Sequence, residues 1–304
     1  MIQYIAGRLA QAIIVLLGVS AVVFFALFLT GDPAVLMMPP DASRAELDTF
    51  RKAMGFDDPM IVQYGRYLWR ALHGDLGSSL RFQQSTLSLV FERLPATVML
   101  AVSALCWSTL VGALAGIVGA LKRGTYVDFG VRLIALLGQA IPVFWLGLLL
   151  MLVFSLYLGW LPTGGYGRWQ QLILPSLSLG AYYMSSMTRL GRASMIDVMA
   201  QDYILTARGK GLTEPSVVLK HAYRNSLIPV VTVLAMHLGQ LLGGAVITEL
   251  IFSWPGIGRL AIQAIYTRDF PLVQAVVLLS ASIFVFVNLA VDILYVVLNP
   301  RIRI

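Results

Sequence analysis

Six stretches of the chain run without a charged side chain for about the 20 residues that an α-helix needs to cross ~30 Å of hydrocarbon. They are Leu9 to Thr30, Ala96 to Leu121, Leu133 to Leu158, Trp169 to Thr188, Ser226 to Thr248 and Leu272 to Val291. Each is continuously apolar and does not alternate with period two, which predicts helices and excludes a β-barrel. The fourth is diluted by Pro175, Ser176, Ser178, Ser185 and Ser186. Small polar positions of that kind suit a bundle interior better than a lipid-facing surface. The pattern predicts an all-α polytopic membrane protein with six transmembrane helices. Gly112, Gly116 and Gly119 form a small-residue stripe on the second stretch, suited to close helix packing, and Pro142 and Pro229 mark kinks or helix starts.

Positive charge sets the orientation. With the N-terminus inside, Arg8, Lys122, Arg123, Arg132, Arg189, Arg192, Arg208, Lys210, Lys220, Arg224, Arg301 and Arg303 fall on the cytosolic side, whereas the short outer loops hold only Arg168, Arg259 and Arg268. Twelve against three predicts both termini in the cytosol. The apolar run after Arg8 is long for a signal peptide, and Gly31-Asp32-Pro33 reads as a helix stop, so the first helix is expected to be retained.

Three regions follow: 1–30 with the first helix, an extracytoplasmic segment at 31–95, and a core at 96–304 that includes a long inner loop at 189–225. In the outer segment Ser43 and Glu46 make a capping-box pattern ahead of Leu47, Phe50 and Met54, and Ile61, Tyr64, Leu68 and Leu72 form a second stripe at helical spacing. Two short amphipathic helices near the outer surface are expected there, either capping the bundle or offering a surface to a partner. Trp254-Pro255-Gly256 opens the loop after the fifth helix, where a turn and an interfacial aromatic are expected. In the inner loop one short helix is expected over Asp202 to Lys210 and another over Glu214 to Arg224, broken at Gly211. A basic helix lying on anionic lipid is the plainer reading of that loop.

Only 12% of the 304 residues are charged and 58% are hydrophobic, against roughly 25% charged in a soluble domain, so the bilayer is the solvent. The net charge of +7 then reports topology and not nucleic-acid binding. Cys106 stands alone, which excludes an intrachain disulfide, and His73, His221 and His237 have no metal-ligand spacing. No G-x-x-x-x-G-K-[ST] loop occurs, and Arg208-Gly209-Lys210-Gly211 lacks both its spacing and its hydroxyl residue. Glu249 and Asp292 fall near the ends of helices five and six and not at the midplane. A self-contained secondary transporter would want midplane ionisable groups or inverted repeats, and an intramembrane enzyme a nucleophile and base at one depth. Gln139, His237, Gln240 and Asn288 either line an aqueous route or hydrogen-bond between helices.

Tyr203, Thr206, Ala207, Arg208, Lys210 and Gly211, then His221, Arg224, Asn225 and Pro229, read Y-x-x-T-A-R-x-K-G followed by H-x-x-R-N-x-x-x-P. This resembles the EAA loop of ATP-binding-cassette (ABC) importer permeases, in the form typical of the dipeptide, oligopeptide, glutathione and nickel family. Further matches run end to end: Gly31-Asp32-Pro33, Gly55-Phe56-Asp57-Asp58-Pro59, Gly74-Asp75-Leu76-Gly77-Ser78, Leu158-Gly159-Trp160-Leu161-Pro162, Leu174-Pro175-Ser176, Phe252 to Gly258, Arg268-Asp269-Phe270-Pro271 and Asn299-Pro300-Arg301. The chain departs from the wider pattern where Leu205-Thr206-Ala207 replaces Glu-Ala-Ala and Gly209 replaces alanine, so a role resting on that glutamate does not transfer. The resemblance implies a type I importer permease fold in a bacterial cytoplasmic membrane, with the helix around Gly211 as a cytosolic coupling helix. It further implies a second homologous permease in a heterodimer, two ATPase subunits that bind ATP and magnesium, and an extracytoplasmic solute-binding protein. This chain would bind no cofactor or metal of its own. Di- and oligopeptides are the expected cargo, with glutathione or a nickel chelate as the alternative.

Overall fold

The structure, a computed structural model, describes residues 2–29, 32–38 and 41–298. Thr30, Gly31, the Asn299-Pro300-Arg301 motif and Arg303 lie outside the described residues. In chain order the helices are α1 Ile2–Leu29, α2 Pro33–Met37, α3 Arg44–Met54, α4 Met60–Leu72, α5 Thr86–Leu121, α6 Tyr126–Ala140 and α7 Val143–Leu150. They continue as α8 Gln170–Met199, α9 Asp202–Gly209, α10 Glu214–Ser216, α11 Tyr223–Gly244, α12 Val246–Ile251, α13 Ile257–Tyr266 and α14 Phe270–Leu298. Seven π-helical residues, Met151–Tyr157, extend α7, and six more, Val217–Ala222, join α10 to α11. No strand occurs among the described residues; an isolated antiparallel bridge pairs Ser78 with Ser85.

Among the described residues, three helices are long and apolar enough to cross a membrane alone, Ala6–Ala26, Thr86–Leu121 and Phe270–Ile293. A fourth crossing results if Tyr126–Ala140 and Val143–Tyr157, bent by 105°, are taken together. That bend interrupts the expected third helix at Ile141-Pro142. Proline drives the preceding residue out of the helical region, and Ile141 has ψ 124°. The other two expected stretches lie in α8 and α11.

The chain divides into two compact units, Met1–Thr97 with Pro255–Ile304, and Val98–Trp254. In the first, α1 packs on α14, and Arg8 Nε meets Asp292 Oδ2 at 3.2 Å. The expected capping box forms: Ser43 Oγ accepts from Glu46 N, Glu46 accepts from Ser43 N at 2.8 Å, and Gly55 ends α3 at φ 69°. Leu89 and Val90 of α5 pack with Ile257, Leu260 and Ala264 of α13 and Leu272 and Val276 of α14. Asp269, buried ahead of α14, accepts from Leu272 N at 3.3 Å, from Arg81 N at 3.2 Å and from the Ser79 hydroxyl, which binds the 31–95 segment to the start of that helix.

In the second unit α6, α7 and α11 all pack on α8. Three of its hydroxyl residues are buried and bond back to their own helix, Ser178 Oγ to Pro175 O at 3.0 Å, Ser185 Oγ to Ala181 O at 2.9 Å and Thr188 Oγ1 to Met184 O at 2.8 Å. No polar atom of these side chains needs water, so a serine-rich helix sits in the bundle interior. Gly112 and Gly116 bring the α5 backbone against α8. A β-carbon at Gly112 would stand 2.6 Å from Met184 O, and one at Gly116 2.5 Å from Thr188 O. Trp254, expected at an interface, is instead fully buried, edge-on to Tyr166 with ring centroids 5.0 Å apart. Sequence hydropathy treats the loop as surface, whereas the backbone bond from Gly165 N to Phe252 O at 2.9 Å folds an earlier loop over it.

Candidate functional site

The stretch after α8 builds a short turn around one small apolar core. On α9, Ile204 and Ala207 point inward and are buried with Met195 of α8, Ile117 of α5, and Val217 and Ala222 of the π-helical joint. That leaves Tyr203, Leu205, Arg208 and Lys210 outward. The helix ends because Gly211 takes φ 78°, a left-handed conformation open to glycine without strain. Its N–H bonds to Arg208 O at 2.9 Å. Beyond the glycine, Arg208 closes the turn with a two-pronged ion pair to Glu214, Nε to Oε1 at 2.7 Å and Nη2 to Oε2 at 3.3 Å. The carboxylate holds the guanidinium pKa above its ordinary value. Asn225 Nδ2 donates to Tyr203 Oη at 2.8 Å and to His221 O at 3.1 Å, tying α11 back to α9. Thr206 Oγ1 caps inward on Asp202 O at 3.0 Å.

Eight of the nine expected loop positions, all but Arg224, are thus joined by backbone, core or side-chain contacts within one turn. Arg224 is exposed on α11. The expected second helix is not separate, because Glu214 to Ala222 runs through the π-helical joint directly into α11. The turn therefore runs into α11 without an intervening loop.

Asp128 is a residue that sequence reasoning missed. It is 1% exposed at the start of α6 and accepts from Arg192 of α8 through two parallel bonds, Nε to Oδ1 at 2.7 Å and Nη2 to Oδ2 at 2.9 Å. Gly124 N adds a third bond at 3.1 Å, and Arg132 Nε lies 3.6 Å away. The available signal was Thr125 three residues ahead, whose Oγ1 accepts from Asp128 N at 3.5 Å as a helix cap.

Of the polar positions inside the expected spans, His237 and Gln240 come together, Nδ1 to Oε1 at 3.2 Å. The other ring nitrogen reaches Ser186 Oγ of α8 at 3.3 Å, and Tyr183 packs edge-on at 4.7 Å. His237 is thus engaged between α8 and α11. Gln139 is exposed on α6, and Asn288 is half-buried on α14 in the other unit. Glu249 is fully buried on α12, a degree of enclosure that its position at a span end did not announce.

A bundle of long apolar helices joined by a clamped, basic, helix-glycine-helix turn defines a membrane permease subunit. Residues 108–304 match the family described as binding-protein-dependent transport system inner membrane component, and residues 1–101 match the N-terminal membrane component of the same systems. The chain belongs to this family, and is an inner-membrane permease component of a binding-protein-dependent ABC importer. The glutathione transport system permease protein GsiC of Escherichia coli O6:H1 is 42% identical over 304 residues, covering 100% of this chain and 99% of that protein. Its counterpart in Salmonella paratyphi A is 43% identical over the same coverage. A chain of the inward-facing MetNI methionine ABC transporter superposes with a TM-score of 0.53 at 17% identity, covering 69% of this chain and 95% of that one, which supports the fold. A permease of this kind works with ATPase and solute-binding partners.

Proposed function

We propose that this chain supplies half of a translocation path for glutathione or a similar short peptide. Six crossings, by α1, α5, the bent α6–α7 pair, α8, α11 and α14, would set both termini in the cytosol, the 31–95 segment outside and the 189–225 loop inside. The excess of Lys and Arg on the inner loops supports that orientation. A second, homologous permease completes the path, two ATPase subunits bind ATP and magnesium, and an extracytoplasmic binding protein delivers the solute.

The observation that carries this reading is the construction of the turn. Ile204 and Ala207 anchor it, and the Arg208 to Glu214 pair closes it. Tyr203, Leu205, Lys210 and Leu212 face outward for an ATPase surface to grip. Rocking of the two permease halves would follow from closure of the ATPases, transmitted into α11. Gln139, His237, Gln240 and Asn288 are the positions proposed to line the path. Glutathione stands ahead of longer peptides because full-length identity above 40% links the chain to glutathione permeases.

Affinity purification of the complex in detergent, with ATP-driven uptake of labelled glutathione and of dipeptides into vesicles, tests the reading. Two ATPases and a second permease should accompany the chain, and replacing Arg208 should weaken their retention. Recovery of the chain alone, with transport that needs no ATP, would overturn it.

A further inference from the structure

Helix α4 presents three different faces around its circumference. Tyr64 and Tyr67 point at α1, where Tyr64 Oη pairs with Ser20 Oγ at 2.8 Å and with Leu17 O at 3.2 Å, and both rings pack on Phe24 with centroids 5.4 and 5.6 Å away. A second arc holds Gln63, Arg66 and Arg70. These polar groups are satisfied locally: Gln63 Nε2 by Phe56 O and Asp58 O, Arg66 by Asp58 at 2.6 Å, Arg70 by Asp75 at 2.9 Å. The third arc, Ile61, Trp69 and Leu72 flanking Gly65, is apolar and open, with exposures of 78%, 64% and 82% for the three side chains.

The depth of contact on α1 decides what covers that open arc. The apolar run of α1 continues to Leu29. Ser20 is nine residues and Leu17 twelve residues short of it, which at the α-helical rise is about 14 and 18 Å along the helix, inside the apolar run and at least as deep as an interface. An amphipathic helix lying in a membrane interface sits about 5–10 Å deep, with its apolar face in the acyl boundary and an aromatic near the headgroups. Val22 and Phe25 of α1 are likewise exposed and apolar, and the Phe25 ring lies 5.7 Å from that of Tyr64 on α4.

We propose that α4 is a membrane-embedded helix of the outer leaflet, its Ile61–Trp69–Leu72 arc in acyl chains and its Arg66–Arg70 arc toward water. The segment 31–95 then does not stand clear of the bilayer as a cap but wedges into it beside α1. The side of the membrane rests on the topology proposed above; the depth does not.

Spin labels on single cysteines, in a Cys106→Ala background and in the assembled transporter in nanodiscs, read both. At Ile61→Cys and Leu72→Cys, relaxation by lipid-soluble oxygen should exceed relaxation by a water-soluble nickel chelate severalfold, and at Arg66→Cys the ratio should invert. If a label at Ile61 blocks assembly, Leu72 samples the same arc. High nickel accessibility at Ile61 and Leu72 would overturn the proposal in favour of an aqueous surface. Low accessibility to both reagents would overturn it in favour of a protein partner. In intact cells Arg66→Cys should react with a membrane-impermeant maleimide; labelling only after the membrane is opened would refute the topology and leave the depth result standing.

Discussion

Replacing Gly116 by alanine should separate α5 from α8 and destabilise the permease. The added β-carbon would lie 2.5 Å from Thr188 O, 2.8 Å from Arg192 N and 3.2 Å from Gly191 C, whereas ordinary contact begins near 3.4 Å. All three obstacles are backbone atoms, so no rotamer change relieves them and the helices must part by nearly 1 Å. Forced overpacking of this size costs about 1–3 kcal/mol. Against it, alanine in a helix gains roughly 0.5–1 kcal/mol over glycine. The net loss should centre on about 1 kcal/mol and reach about 2.5 kcal/mol, or a few degrees in the unfolding midpoint. Gly130→Ala is the internal control, since nothing lies within 4 Å of its β-carbon and only the gain applies. Thermal unfolding of the detergent-purified protein, followed by loss of the monodisperse peak, measures both. A Gly116→Ala midpoint equal to or above that of Gly130→Ala would refute the close-packing argument.

Asp128→Asn keeps the size but removes the charge that Arg192 grips through two parallel bonds, and should lower the unfolding midpoint of the detergent-purified protein. Gly211→Ala should strain the left-handed turn at φ 78° by roughly 1–2 kcal/mol, with Gly211→Asn intermediate; the readout is transport per ATP hydrolysed in the assembled complex. Glu214→Gln keeps size but removes the charge that closes the turn on Arg208, and should lower coupling without lowering the amount of folded permease recovered. Trp254→Ala, which empties a fully buried site against Tyr166, should cost about 3–5 kcal/mol and be seen as lost expression of folded chain.

Much of this architecture could be read from local pattern because its causes are local. The apolar runs in α1, α5 and α14 are set by the thickness of hydrocarbon. The Ser43–Glu46 box and the Gly211 break follow from capping groups and backbone freedom within a few residues. Contacts between distant positions were not legible. Asp128 and Arg192 are 64 residues apart, and Tyr203 and Asn225 are 22 apart, so neither pair leaves a periodic trace. The burial of Trp254 depends on the loop around Tyr166, 88 residues earlier, folding over it, which hydropathy around the tryptophan cannot register. The bend after α6 lies between these extremes: Pro142 announced a disturbance, but its 105° size is a property of the helices around it.

The π-helical joint at Val217–Ala222 absorbs a change of phase. Tyr223 N bonds back five residues to Val218 O, so this segment holds one residue more than an α-helical turn would. Each residue turns an α-helix by about 100°. Because the wider turn absorbs its extra residue locally, losing one residue here would let the joint close as ordinary α-helix with Asn225 still facing Tyr203, whereas losing one from the regular helix that follows would swing the Arg208–Glu214 clamp round by about that angle. The joint is therefore the place in this loop where the chain can change length by one residue and keep the turn and α11 in register.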